Sequence, residues 1–185
     1  LRPLPYENGE RLVYLKQPAP LSGVANAQFS VPEMVEYRQR TRGLESPVEY
    51  HSMPFILLGQ GEPRRVQTGV VSANYFDVLG VHAVVGRLIG TPDGADSPIP
   101  VVVRQRYWDA LFNRTPSIVE QPLTLNGSPA VVVGVARQFR GVVTDQPADL
   151  FAPLAASEIV EPSQSQFAVT LAARLKPGIS RIEAE

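Results

Sequence analysis

The sequence predicts an α+β fold, and three observations carry that prediction. Eight or nine short strand-like runs are bounded by Gly, Pro and Asn, including one hairpin whose Asn126-Gly127 pair suits a two-residue turn. Two amphipathic helices, one near residues 30–43 and one near 104–115, interrupt those strands. The interruptions are too few for regular βαβ alternation, which separates α+β from a doubly wound parallel sheet.

In chain order, Arg11 to Gln17 reads as a first strand between Asn8-Gly9 and the Pro-rich "QPAPLSG". Ser30, Pro32 and Glu33 then make a helix start, with Ser30 as N-cap and Glu33 closing the capping box. Gly43 ends that helix, and Arg38, Arg40 and Arg42 lie where the dipole favours cations. Residues 48–72 read as two or three strands turning at Gly59 to Pro63.

The stretch "SANYFDVLG" predicts a short helix: Ser72 can cap it, Tyr75, Phe76 and Leu79 share one face, and Gly80 takes a left-handed exit. Its aromatics are expected to be core, with Gly80 and Gly86 as points where the backbone must turn. After a polar loop over Gly90 to Pro100, Val101 to Val103 is a buried strand candidate. Tyr107, Trp108, Leu111 and Phe112 then form one face of a helix that stops before Pro116. In the hairpin, Leu123 and Leu125 alternate on one arm and Val131, Val133 and Val135 on the other. Asp149 to Leu154 and Gln166 to Leu175 supply two more strands. Ser180 and Glu183 read as a helix start cut short, so the chain is expected to be a fragment of something longer.

Composition narrows function further. Of 185 residues 44% are hydrophobic and 19% charged, the balance of a chain that folds around a core. A net charge of −1 gives no global attraction to nucleic acid or acidic lipid, and no nucleic-acid partner is expected. With no cysteine, disulfides, thiolate catalysis and cysteine metal sites are excluded. No apolar run approaches the roughly 18 residues of a membrane span. His51 and His82 have no paired spacing for zinc. "GQGEPR" lacks the third glycine of a dinucleotide loop, and no serine lies in G-x-S-x-G. No catalytic residue, metal ligand or cofactor is therefore assigned. If the chain were an enzyme, Asp93, Asp96, Asp145 and Asp149 would be the candidates for metal-assisted hydrolysis.

The motifs nevertheless align with a family. "FSVPEMVEYRQRTRGLE", "VVSANYFDVLGVHAVVGR", "VVVRQRYWDALF", "PLTLNGSPAVVVGVA" and "DLFAPL" together resemble the extracytoplasmic core domain of MacB-like ABC transporter permeases. The resemblance spans nearly the whole chain. It implies a porter-like α/β subdomain, placed at 1–80 and 141–185, with a smaller, mostly-β subdomain inserted at 81–140. It also implies a non-catalytic domain on the periplasmic face of the bacterial cytoplasmic membrane, carrying ATP-driven motion to a substrate or partner outside. The implied partners are the parent membrane helices and a cytoplasmic ATPase. A periplasmic adaptor, a lipoprotein and self-association are further candidates. The resemblance transfers no site residue, so Tyr75, Phe76, Leu79, Gly80, Gly86, Trp108, Asn126 and Gly127 stand as hinge and core candidates from the residues alone. The alternative is a free-standing extracytoplasmic ligand- or lipoprotein-binding module, which would need an apolar cleft between the subdomains.

Overall fold

The structure, a computed structural model, describes residues 6, 9–15, 17–19, 24–27, 29–30, 33, 36–37, 40, 43–59, 61–94, 97–139, 141–142, 147–156 and 168–180. Its strands are β1 (Leu12–Tyr14), β2 (Gln17–Ala19), β3 (Val24–Ala27), β4 (Phe29–Ser30), β5 (Leu44–Leu58), β6 (Arg64–Val71), β7 (Ala83–Gly86), β8 (Ile99–Arg104), β9 (Pro122–Leu125), β10 (Ser128–Ala136), β11 (Leu150–Pro153) and β12 (Ala168–Leu175). Helix α1 is Tyr75–Leu79 and α2 is Gln105–Leu111. Glu33, Glu36, Tyr37 and Arg40 are also helical. There the Glu33 carboxylate accepts the Ser30 N–H at 2.8 Å, one half of a capping box, and also the Ser30 hydroxyl at 2.7 Å. The class is α+β: a mixed sheet with few helices.

Ten strands form one sheet, in the order β1-β12-β5-β6-β11-β8-β10-β7, with β4 on β12 and β9 between β10 and β5. The last pairing closes a ring, because β5, β6, β11, β8, β10 and β9 return to β5 through Leu57↔Leu125 and Leu58↔Thr124. Strand alternation fills the ring with apolar side chains. Met53, Phe55 and Leu57, then Val66 and Val70, Ile99, Val101 and Val103, and Leu150 and Ala152 all belong to one interior cluster. The opposite faces of the same strands carry Val71, Val102 and Phe151, which join a second cluster under α1.

β5 links the ring to the rest. Its first half, Leu44 to Tyr50, pairs with β12, and its second half, Tyr50 to Leu57, pairs with β6. β8, inside the 81–140 segment, pairs with β11 outside it through Leu150↔Val103 and Phe151↔Val102, so one sheet draws strands from both segments.

Two local expectations are corrected. Along β10 the inward residues are Ala130, Val132 and Val135, while Val133 faces the outer cluster. A register shift between Val132 and Gly134 puts a bulge in the strand and inverts its phase, so no single alternation runs through it. The N-cap of α1 is Asn74 rather than Ser72. The Ser72 hydroxyl is instead held by β5, accepting the Glu49 N–H at 3.0 Å and donating to Asn74 Oδ1 at 2.8 Å.

Candidate functional site

The junction around α1 is where the chain passes into and out of the 81–140 segment. Asn74 Nδ2 donates to the Pro47 carbonyl at 2.9 Å, fixing the start of α1 to β5. The helix ends in a Schellman pair: Val81 N–H donates to Phe76 O at 2.9 Å and Gly80 N–H to Asp77 O at 3.1 Å. Gly80 stands at φ 64, a conformation that costs glycine little.

Tyr75 and Phe76 are fully buried and Leu79 nearly so. Phe76 lies edge-on to Phe151 and Phe139, with centroids 5.2 and 6.0 Å away, and Tyr75 stacks on Tyr50 at 5.9 Å. The Tyr75 hydroxyl accepts the Val142 N–H at 3.4 Å. Burial drives its pKa well above the ordinary phenol value, and the Val142 bond opposes this only in part.

Arg104, at the end of β8, lies against this aromatic group, its guanidinium carbon 5.6 Å from the Phe139 centroid. Burial lowers its pKa, and the charge of Arg106 adds to the effect.

Beside the junction is an open cleft of about 610 Å³, bordered by Pro47, Glu49, Ser72, Asn74, Asp93 and Leu154. Its walls come from the start of β5, the turn before α1, the loop after β7 and the turn after β11. Asp93 is clipped there: both carboxylate oxygens accept from Arg87, at 2.6 and 2.8 Å, and Oδ2 also accepts the Gly90 N–H at 2.9 Å. Burial alone would raise the Asp93 pKa. The Arg87 and Gly90 hydrogen bonds, with the Arg87 charge, outweigh it and hold the carboxyl below its ordinary value.

The other residues singled out by sequence do not converge here. Trp108 belongs to the ring interior, its indole N–H donating to Thr115 O at 3.1 Å. Gly86, at φ 67, crosses β10 so closely that a Cβ would meet Val133 O at 2.3 Å. Asn126 and Gly127, at φ 46 and 88, form the β9–β10 turn. Of the candidate acids, Asp149 accepts from Arg106 and from the Gln67 N–H, each at 3.3 Å, while Asp96 and Asp145 lie outside the described residues. Among the described residues no three His, Cys, Asp or Glu gather as metal ligands, and no helix is long and apolar enough to cross a membrane.

Sequence reasoning missed Arg104, Phe139 and Phe151 as parts of the junction, and Gly134 opposite Gly86. Only Gly134 left a signal, as the one glycine inside a valine run.

No curated protein matches the sequence. Solved structures do match the fold. The periplasmic region of MacB from Actinobacillus actinomycetemcomitans superposes with a TM-score of 0.69 at 17% identity, over 92% of this chain and 76% of that one. The extracellular domain of the ABC-type transporter YknZ from Gram-positive bacteria gives 0.65 at 15% identity, over 90% and 83%. The sequence itself matches the MacB-like periplasmic core domain across residues 3–185. The chain therefore belongs to the family of MacB-like periplasmic core domains of ABC transporter permeases, and lies on the extracytoplasmic side of the membrane.

Proposed function

We propose that this domain carries conformational change, driven by ATP binding and hydrolysis in a separate domain or chain, to a substrate or partner outside the membrane, and that it performs no chemistry itself. Membership in an ABC transporter permease family implies membrane helices and an ATPase as working partners. The observation that supports the mechanical reading is the pairing of β1 with β12, Leu12↔Arg174 to Tyr14↔Ala172. The incoming and outgoing strands are neighbours in one sheet, and β12 is bonded in turn to β5, which continues into the ring. A displacement applied at both chain ends thus has a hydrogen-bonded path to the far side of the domain.

In this reading the units at 1–80 with 141–185 and at 81–140 act as one mechanical body, since strands from both share the ring. A periplasmic adaptor, a lipoprotein or a second copy would receive the motion. The cleft beside α1 favours a second reading, a ligand- or lipoprotein-binding module. A lipid or peptide retained by the isolated chain in native mass spectrometry would support that one.

The test uses the full-length permease with its ATPase. The domain has no cysteine, so once any cysteine elsewhere in the permease is replaced, one introduced at Val84, which is 44% exposed on β7, takes a single spin label. A second label goes at the membrane end of the permease. The expected result is a label distance that differs between the nucleotide-free and ATP-bound states. An unchanged distance distribution while ATP is being turned over would overturn the coupling reading.

A further inference from the structure

The chain passes between the 81–140 segment and the remainder twice, outward just after Gly80 and back just after β10. The two passages touch. Arg137 N–H donates to His82 O at 3.0 Å, and the Val142 N–H reaches the Tyr75 hydroxyl.

Arg104 bears on the returning one. It is only 7% exposed, yet among the described residues no carboxylate pairs with it, because Asp149 turns its carboxylate to Arg106 and the Gln67 N–H. A buried guanidinium without an acid is costly, so its position needs a reason. Its donors go to the chain: Nη1 to the Ala148 carbonyl at 3.2 Å and Nη2 to the Phe139 carbonyl. These two carbonyls bracket the returning passage. The charge rests on the Phe139 ring face, and among the described residues Nε–H has no hydrogen-bond partner.

We propose that Arg104 is a positioning residue that fastens the returning passage to the end of β8, in addition to the strand pairing that already joins the 81–140 segment to the rest of the domain. A planar fork can hold two carbonyls at once, which the single ammonium of lysine does poorly. The use of this fastener in the permease rests on the coupling reading above. The fastening itself is a property of this chain and is tested on it alone, so either can fail without the other.

The experiment is amide hydrogen exchange on the 185-residue chain, comparing wild type with Arg104→Met and Arg104→Lys. Arg104→Met relieves a buried charge but also takes donors from the Ala148 and Phe139 carbonyls, and the two effects oppose, so the thermal midpoint is expected to change little. The Arg137 and Val142 amides should nevertheless exchange about tenfold faster, with ring amides such as Val102 and Val132 unchanged. Arg104→Lys should show the same split with a smaller effect. Wild-type protection at Arg137 and Val142 in the folded Met variant would overturn the proposal, and so would faster exchange spread equally over ring and passages. If the Met variant does not fold, the Lys variant decides by the same two amides.

Discussion

Tyr75 places a phenol in a fully buried position whose other neighbours are mostly rings, and that has a consequence for pH. Its pKa in the folded chain lies above the ordinary 10.0 of the unfolded chain. Below pH 10 both states keep the proton and the burial contributes in full. As pH rises past that value the unfolded chain releases a proton that the folded chain retains, so stability falls by up to about 1.4 kcal/mol per pH unit for this group. Burial also raises Tyr50 and Tyr107, which steepen the fall equally in wild type and variant. Tyr75→Phe should therefore cost little at pH 8, where it loses one long hydrogen bond, and should flatten the fall in thermal midpoint between pH 10 and 11. Parallel curves for the two proteins would show that the phenol is accessible to water. Gly86 and Gly134 illustrate a different residue-scale constraint. Each faces backbone closer than any Cβ tolerates, Gly134 meeting Arg87 O at 2.1 Å, so the β7–β10 crossing depends on both.

Among the elements, the β9–β10 hairpin was the most legible, because Asn-Gly supplies two residues that accept positive φ. Its second task was not legible. Asn126 N–H donates to Ile56 O at 3.0 Å, and its Oδ1 accepts the Ile56 N–H at 2.7 Å, so the turn stitches the ring shut beside the short β5–β9 pairing. Two substitutions separate these roles. Asn126→Gly keeps the turn and loses the side-chain bond, a cost of about 0.5–1.5 kcal/mol. Asn126→Ala loses the same bond and keeps a Cβ at φ 46 without asparagine's tolerance of that region, so it should lower the thermal midpoint further. Equal midpoints for the two would mean the backbone conformation contributes nothing. The inverted phase of β10 was hidden for a plain reason. Both faces of that strand meet apolar neighbours, so a run of valines does not say which face is inward.

At the scale of the whole molecule, one side chain reinforces the β1–β12 pairing. Arg11 donates through Nε and Nη2 to the Leu175 carbonyl, at 2.9 and 2.6 Å, and through Nη2 to Glu45. It thereby joins β12 and the start of β5 at the residue just before β1. Arg11→Ala should destabilise the domain by about 1–2 kcal/mol, since it strips hydrogen bonds from a partly buried carbonyl. Glu45→Gln should cost less, because the pair is about a third exposed on each side and solvent screens it. Thermal unfolding of the two variants checks this, and the reverse order would assign the clasp to the ion pair.

The sequence by itself determined the α+β class, the helix starts at Ser30 and near Tyr75, the Asn126-Gly127 turn and the buried aromatics of α1. All of these follow from local rules of capping, turn conformation and side-chain period, which act over a few residues. Only the tertiary structure decided that the strands close into a ring, that Asn126 reaches Ile56, that Gly86 faces Gly134, and that Arg104 and Arg11 tie distant segments. Those contacts join residues dozens to more than a hundred positions apart, and a period of two residues per strand fixes neither partner nor register. Which strand lies beside which is settled by the packing of two apolar faces at once.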